Sequence, residues 1–144
     1  MNDGQPGSGP LVLRGRVQPG KGDAARWLRL LNDAYVRKLG VPVFPGSLNL
    51  AIETPFDWSE PSLQDAIIRF PREENGSERD ILMLACRLRG LGPLTAFLWT
   101  TTRGQQAAKE GRVEIIAPVG LRDQYHLRDG DLVEIEIGGP AGHV

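Results

Sequence analysis

Leu39-Gly40-Val41-Pro42-Val43-Phe44-Pro45-Gly46-Ser47-Leu48-Asn49-Leu50-Ala51-Ile52 is the stretch from which the fold can be read. It holds a helix stop, a stiff turn and a strand in close succession. Leu31, Tyr35 and Leu39 recur at i, i+4 and i+8, so the spacing predicts a helix over Asn32 to Leu39, ended by Gly40. Pro42 to Gly46 is a turn. From Ser47 to Ile52 the chain alternates, with Leu48, Leu50 and Ile52 on one side. Ser47 and Asn49 then share the other side, because successive strand residues point to opposite faces. One face is oily and the other offers a hydroxyl and an amide.

Working outward, the same signals recur in short pieces. Upstream, Leu11, Leu13 and Val17 mark a strand over Leu11 to Val17, broken by Pro19-Gly20-Lys21-Gly22-Asp23, and Trp27, Leu28 and Leu30 suggest another. Downstream, Ser59 and Pro61 read as the start of a helix reaching Ile68, since proline fits a first helical turn. Arg72 to Asp80 is a charged connector. Ile81 to Leu88 and Leu94 to Thr100 read as strands of a hairpin around Gly90, Gly92 and Pro93, followed by a polar loop from Thr101 to Gly111. Val113 to Ala117 is a strand, Leu121 to Leu127 a helical turn, and Leu132 to Ile137 a final strand entered through the Asp129-Gly130-Asp131 turn. Six or seven short strands with two or three short helices predict a mainly β chain, better suited to a small closed barrel than to a doubly wound sheet.

The chain has 144 residues, 40% hydrophobic and 24% charged, which suits one domain. Residues 11–137 form the expected domain, between Gly- and Pro-rich tails at 1–10 and 138–144. The net charge of -1 argues against a nucleic-acid partner. No apolar run is long enough to span a bilayer, and Met1 to Pro10 lacks the apolar region of a signal peptide, so a cytoplasmic location is expected. The single cysteine, Cys86, sits in an apolar run and reads as an inert buried thiol. Asn75-Gly76-Ser77 matches a glycosylation sequon and reads as a surface turn.

Three segments carry chemistry. Gly20-Lys21-Gly22-Asp23-Ala24 follows a strand, and small residues there let backbone N–H groups approach a phosphate. It lacks the Gly-Lys-Ser/Thr ending of a Walker loop and also reads as a hairpin turn. Ser47 and Asn49 offer neutral oxygens that suit Mg²⁺ when phosphates supply the negative charge; they also read as an ordinary polar strand face. Glu114 is flanked by apolar residues on a strand. It faces either solvent or a pocket, and in a pocket it would be suited to accept a proton from a hydroxyl. His126 and His143 make no metal pair and no catalytic triad. Trp27, Trp58 and Trp99 could stack on a ligand, though core packing is the plainer reading.

Arg14 to Asp23, Leu39 to Leu50, Glu114 to Arg122 and Leu127 to Ile135, in this order and spacing, resemble the archaeal CTP-dependent riboflavin kinase family. The resemblance is strong over Gly15 to Ile52 and Val113 to Ile137 and poor from Thr54 to Ala107. It implies a six-stranded cradle-loop barrel of RIFT type, related to swapped-hairpin transcription factors. It implies transfer of a phosphate from CTP to riboflavin with Mg²⁺, giving FMN. By resemblance Gly20, Lys21, Gly22, Asp23, Ala24 and Ala25, with Val119, Gly120, Leu121 and Arg122, bind nucleotide; Ser47 and Asn49 ligate the metal; Glu114 contacts flavin. A threonine does so too, Thr102 being preferred over Thr100 and Thr101. The chain departs from the family pattern at Asp23 and Ala24, where the family has glutamate and glycine, and at Ser47, where it has threonine. The alternatives are a kinase of another small alcohol, a DNA-binding regulator of the swapped-hairpin type, and a protein that binds nucleotide or flavin without chemistry.

Overall fold

A computed structural model describes residues 11–20, 28–29 and 32–137. Seven strands are joined by short helices: β1 Leu11–Gln18, α1 Asn32–Leu39, β2 Leu48–Ile52, β3 Ile68–Phe70, α2 Arg72–Asn75, β4 Ile81–Leu88, β5 Ala96–Thr101, α3 Gln105–Lys109, β6 Arg112–Ile116, α4 Leu121–Tyr125 and β7 Leu132–Ile137. The sheet runs β3-β4-β5-β6-β2-β1-β7, and an additional β4–β7 pairing closes it. Every pairing is antiparallel. The result is a six-stranded barrel, mainly β, as the sequence predicts. β4 makes the closure possible by dividing one edge. Its Ile81 and Met83 pair with Phe70 and Ile68 of β3, while Cys86 to Leu88 pair with Ile137 to Ile135 of β7.

Alternation decides what the barrel encloses. On β1, Leu13, Gly15 and Val17 are buried while Arg14, Arg16 and Gln18 are exposed. On β2, Leu48, Leu50 and Ile52 are buried between partly exposed Asn49 and Ala51. The inward residues join Leu84, Leu98, Ile115 and Ile135 in one apolar interior. A second cluster lies outside the barrel wall, where α1 and Leu28 cover Met83, Phe97 and Ile116. Tyr35 of α1 anchors it, edge-on to Phe70 at 5.5 Å and accepting a 2.6 Å hydrogen bond from Trp99 Nε1. Burial pushes the Tyr35 phenol up to about 12, against a smaller opposing effect of that bond.

Several expectations change. Leu28 and Arg29 are helical rather than extended; Trp27 and Leu30 lie outside the described residues. The helix expected from Pro61 to Ile68 shrinks to one 3₁₀ turn, Pro61–Leu63. Ser59 does not cap it, because both its N–H and Oγ–H donate to Asp57 Oδ1, at 2.9 and 2.6 Å. Those bonds hold the Asp57 carboxyl below its usual range. Ile68 instead opens β3. The charged connector contains α2, and the polar loop contains α3. Asn75 of the sequon is not on the surface. It is 1% exposed, with its amide donating to Phe70 and Arg79 carbonyls and accepting from Ser77 N–H.

Candidate active site

Strand register brings the predicted residues together. Asn49 on β2 sits opposite Gln18 on one side and Glu114 on the other, and Glu114 sits opposite Trp99. Gln18, Asn49, Glu114 and Trp99 therefore form one row across β1, β2, β6 and β5. All four point outward, because Val17, Leu50, Val113, Ile115 and Leu98 beside them are buried. Ser47, just before β2, donates from Oγ to Glu114 Oε1 at 2.9 Å. A hydroxyl, an amide and a carboxylate thus share one patch of the barrel wall.

The glycine turn arrives at the same place. A Cβ on Gly20 would fall on the Asn49 amide, so a larger residue there would have to push that side chain aside. Lys21, Gly22, Asp23, Ala24 and Ala25 lie outside the described residues. The late segment closes the other flank. Phe44 N–H donates to Ala117 O at 2.8 Å, and Arg122 Nη2 donates to Gln18 O at 2.9 Å and to Asp129 Oδ1 at 2.5 Å. Arg122 ties the end of β1 to the turn before β7. Leu121 is buried in the barrel core and Val119 packs its side chain against that core.

The threonines separate. Thr100 is buried toward the barrel interior. Thr101 shares Trp99's face and accepts the Gly104 N–H on Oγ1 at 3.1 Å. Thr102 is exposed, three residues past Trp99 or about 10 Å along the chain. It opens into a cleft of about 400 Å³ shared with Arg72, Glu78, Arg79, Asp80 and Arg103.

Trp99, for which core packing is the plainer sequence reading, is half-buried at the end of the polar row. Trp58 is buried against Phe56, edge-on at 5.4 Å. His126 is exposed at the end of α4, with a φ of 54°. Cys86 is 3% exposed, and burial pushes its thiol up to about 12, as an inert thiol requires.

Among the described residues no group of three or more His, Cys, Asp or Glu is placed to hold a metal. The hard, neutral oxygens of Ser47 and Asn49 beside one carboxylate still fit a hard divalent cation whose charge is balanced by phosphates. Among the described residues no helix is long and apolar enough to cross a membrane.

Comparison with known proteins points the same way. Residues 17–137 match a family model named for CTP-dependent RFKase and described as domain of unknown function DUF120. The riboflavin kinase of Staphylothermus marinus is 30% identical over 128 residues, covering 89% of this chain and 92% of the relative. That of Methanospirillum hungatei is 30% identical over 132 residues, covering 88% and 58%. That of Pyrobaculum aerophilum is 34% identical over 141 residues, covering 88% and 60%. The chain thus spans less than two thirds of some relatives and nearly all of another. With the family match running from the end of β1 through β7, and the barrel and outward polar row in place, this chain belongs to the archaeal-type CTP-dependent riboflavin kinase family.

Proposed function

We propose that the chain transfers the γ-phosphate of CTP to the terminal hydroxyl of riboflavin, giving FMN and CDP. The observation that carries this reading is the convergence of Gly20, Ser47, Asn49 and Glu114 on one outward patch of the barrel. Family membership implies CTP and riboflavin as the substrates. Phosphoryl transfer asks mainly for positioning and neutralisation of charge, and the patch supplies groups for both.

In this reading Glu114 orients the acceptor hydroxyl and takes its proton as the new O–P bond forms and the bond to the β-phosphate oxygen breaks. Ser47 holds Glu114 through its 2.9 Å hydrogen bond. Backbone N–H groups of Gly20, Lys21, Gly22, Asp23, Ala24 and Ala25 surround the phosphates. The backbone of Val119, Gly120, Leu121 and Arg122 meets the nucleotide, and Thr102 meets the flavin. Ser47 and Asn49 would hold Mg²⁺, which supplies positive charge to the phosphate oxygens. A cytoplasmic setting fits the one unpaired cysteine.

The test is incubation with riboflavin, CTP and Mg²⁺, with FMN measured against parallel reactions using ATP and other small alcohols. FMN formed preferentially from CTP is expected. Asn49→Ala should reduce turnover at least about a hundredfold while the circular dichroism spectrum stays native. Full activity in that variant would remove the metal assignment.

A further inference from the structure

Phe44 stands at the rim of this patch, 41% exposed. Its backbone is pinned, with its N–H on Ala117 O and its carbonyl accepting from Gly46 N–H, both at 2.8 Å. Two glycines make room for the ring. A Cβ on Gly46 would meet Cε2 at 3.1 Å, and one on Gly120 would meet Cε2 and Cζ at 3.0 Å. Neither glycine is demanded by its own backbone. Gly120 has φ -72° and ψ 108°, open to any residue, and Gly46 is not among the positive-φ glycines. Their shared consequence is a large ring seated against bare main chain, with its outer part left in water.

The position is informative. The ring lies between Gly46, which precedes Ser47, and Gly120 of the Val119–Arg122 segment, which reaches back to Gln18 through Arg122. We propose that Phe44 is the platform on which the pyrimidine base of the donor nucleotide stacks. This rests on the kinase reading, with phosphates near Gly20 and Asn49 and the base near Gly120. Stacking on an aromatic face binds any base, so Phe44 supplies affinity, while backbone groups of the 119–122 segment face the base edge.

The experiment is calorimetric titration of CDP with Mg²⁺, and separately of inorganic tripolyphosphate with Mg²⁺, into the wild type, Phe44→Leu and Phe44→Tyr. The leucine keeps apolar bulk and loses the ring; the tyrosine keeps the ring. Phe44→Leu should bind CDP about tenfold more weakly, with tripolyphosphate affinity unchanged and Phe44→Tyr near wild type. Equal CDP affinity in the leucine variant would overturn the proposal. So would a parallel loss of tripolyphosphate binding, which would make Phe44 a support for the phosphate loop. Failure of the wild type to bind CDP would instead strike the kinase reading itself, and the platform with it. Thermal melting of each variant separates misfolding from lost stacking.

Discussion

At the scale of single residues, the proposed phosphoryl transfer turns on Glu114. On sequence alone a lone carboxylate between Val113 and Ile115 is equally at home facing solvent. Register supplies the neighbours that the sequence could not, because pairing with Asn49 and Trp99 puts it between an amide and an indole, with Ser47 donating to it. That contact joins residues 67 positions apart, so no local pattern encodes it. Glu114→Gln preserves size and an oxygen able to accept from Ser47, and removes the base. The expected outcome is a drop in kcat of about a hundredfold or more, with the KM for CTP little changed. A KM effect with unchanged kcat would make Glu114 a binding group alone.

At the scale of elements, legibility followed period and length. β1, β2, β6 and β7 are long enough for alternation to show, β4 and β5 stand out as apolar runs divided by Gly90, Gly92 and Pro93, and α1 carries Tyr35 and Leu39 four apart and is closed by Gly40 at φ 78°. β3 has three residues, too few for any period, and its first, Ile68, falls at the end of the helix expected from Pro61. Proline at the start of a turn and a serine before it imitate a helix beginning, yet Asp57 engages Ser59 and the turn ends at Leu63. The site was half legible for the same reason: period two put Ser47 and Asn49 on one face, while their partners on β6 and β5 came only with the sheet. Gly15 shows how tight strand contact becomes in so small a barrel. It pairs with Ile52 on one side and Val133 on the other, and a Cβ there would meet Ala51 O at 2.7 Å. Since main chain cannot swing aside as a side chain does, Gly15→Ala should cost about 1–3 kcal/mol, read as a lower melting temperature. An unchanged melting temperature would mean that β1 and β2 yield more easily than their register implies.

At the scale of the whole molecule, two buried acids couple the closed fold to alkaline pH. Cys86 pairs with Ile137 at the seam where β4 meets β7, and Tyr35 holds α1 against the outside of the wall through Trp99. Burial raises the thiol from 9.0 to about 12 and the phenol from 10.0 to about 12. Below pH 9 both are neutral in the folded and unfolded chain alike, and their contribution is constant. As pH climbs toward 12, the unfolded chain releases protons that the fold retains, so stability falls across that window and not below it. A displacement of one pH unit is worth about 1.4 kcal/mol, so the two groups together withdraw several kcal/mol, a large part of an ordinary domain's stability. Urea unfolding at successive pH values should show a flat midpoint up to pH 9 and a steep decline above it. Cys86→Ala should flatten the earlier part of that decline, and Tyr35→Phe the part above pH 10, even though each variant begins from a lower stability. In the wild type the thiol should react with a disulfide reagent only as the chain unfolds, because the seam must open before Cys86 can ionise. Rapid labelling at pH 8 without unfolding would show that β4 and β7 part on their own, and the barrel would then be closed far more loosely than its register indicates.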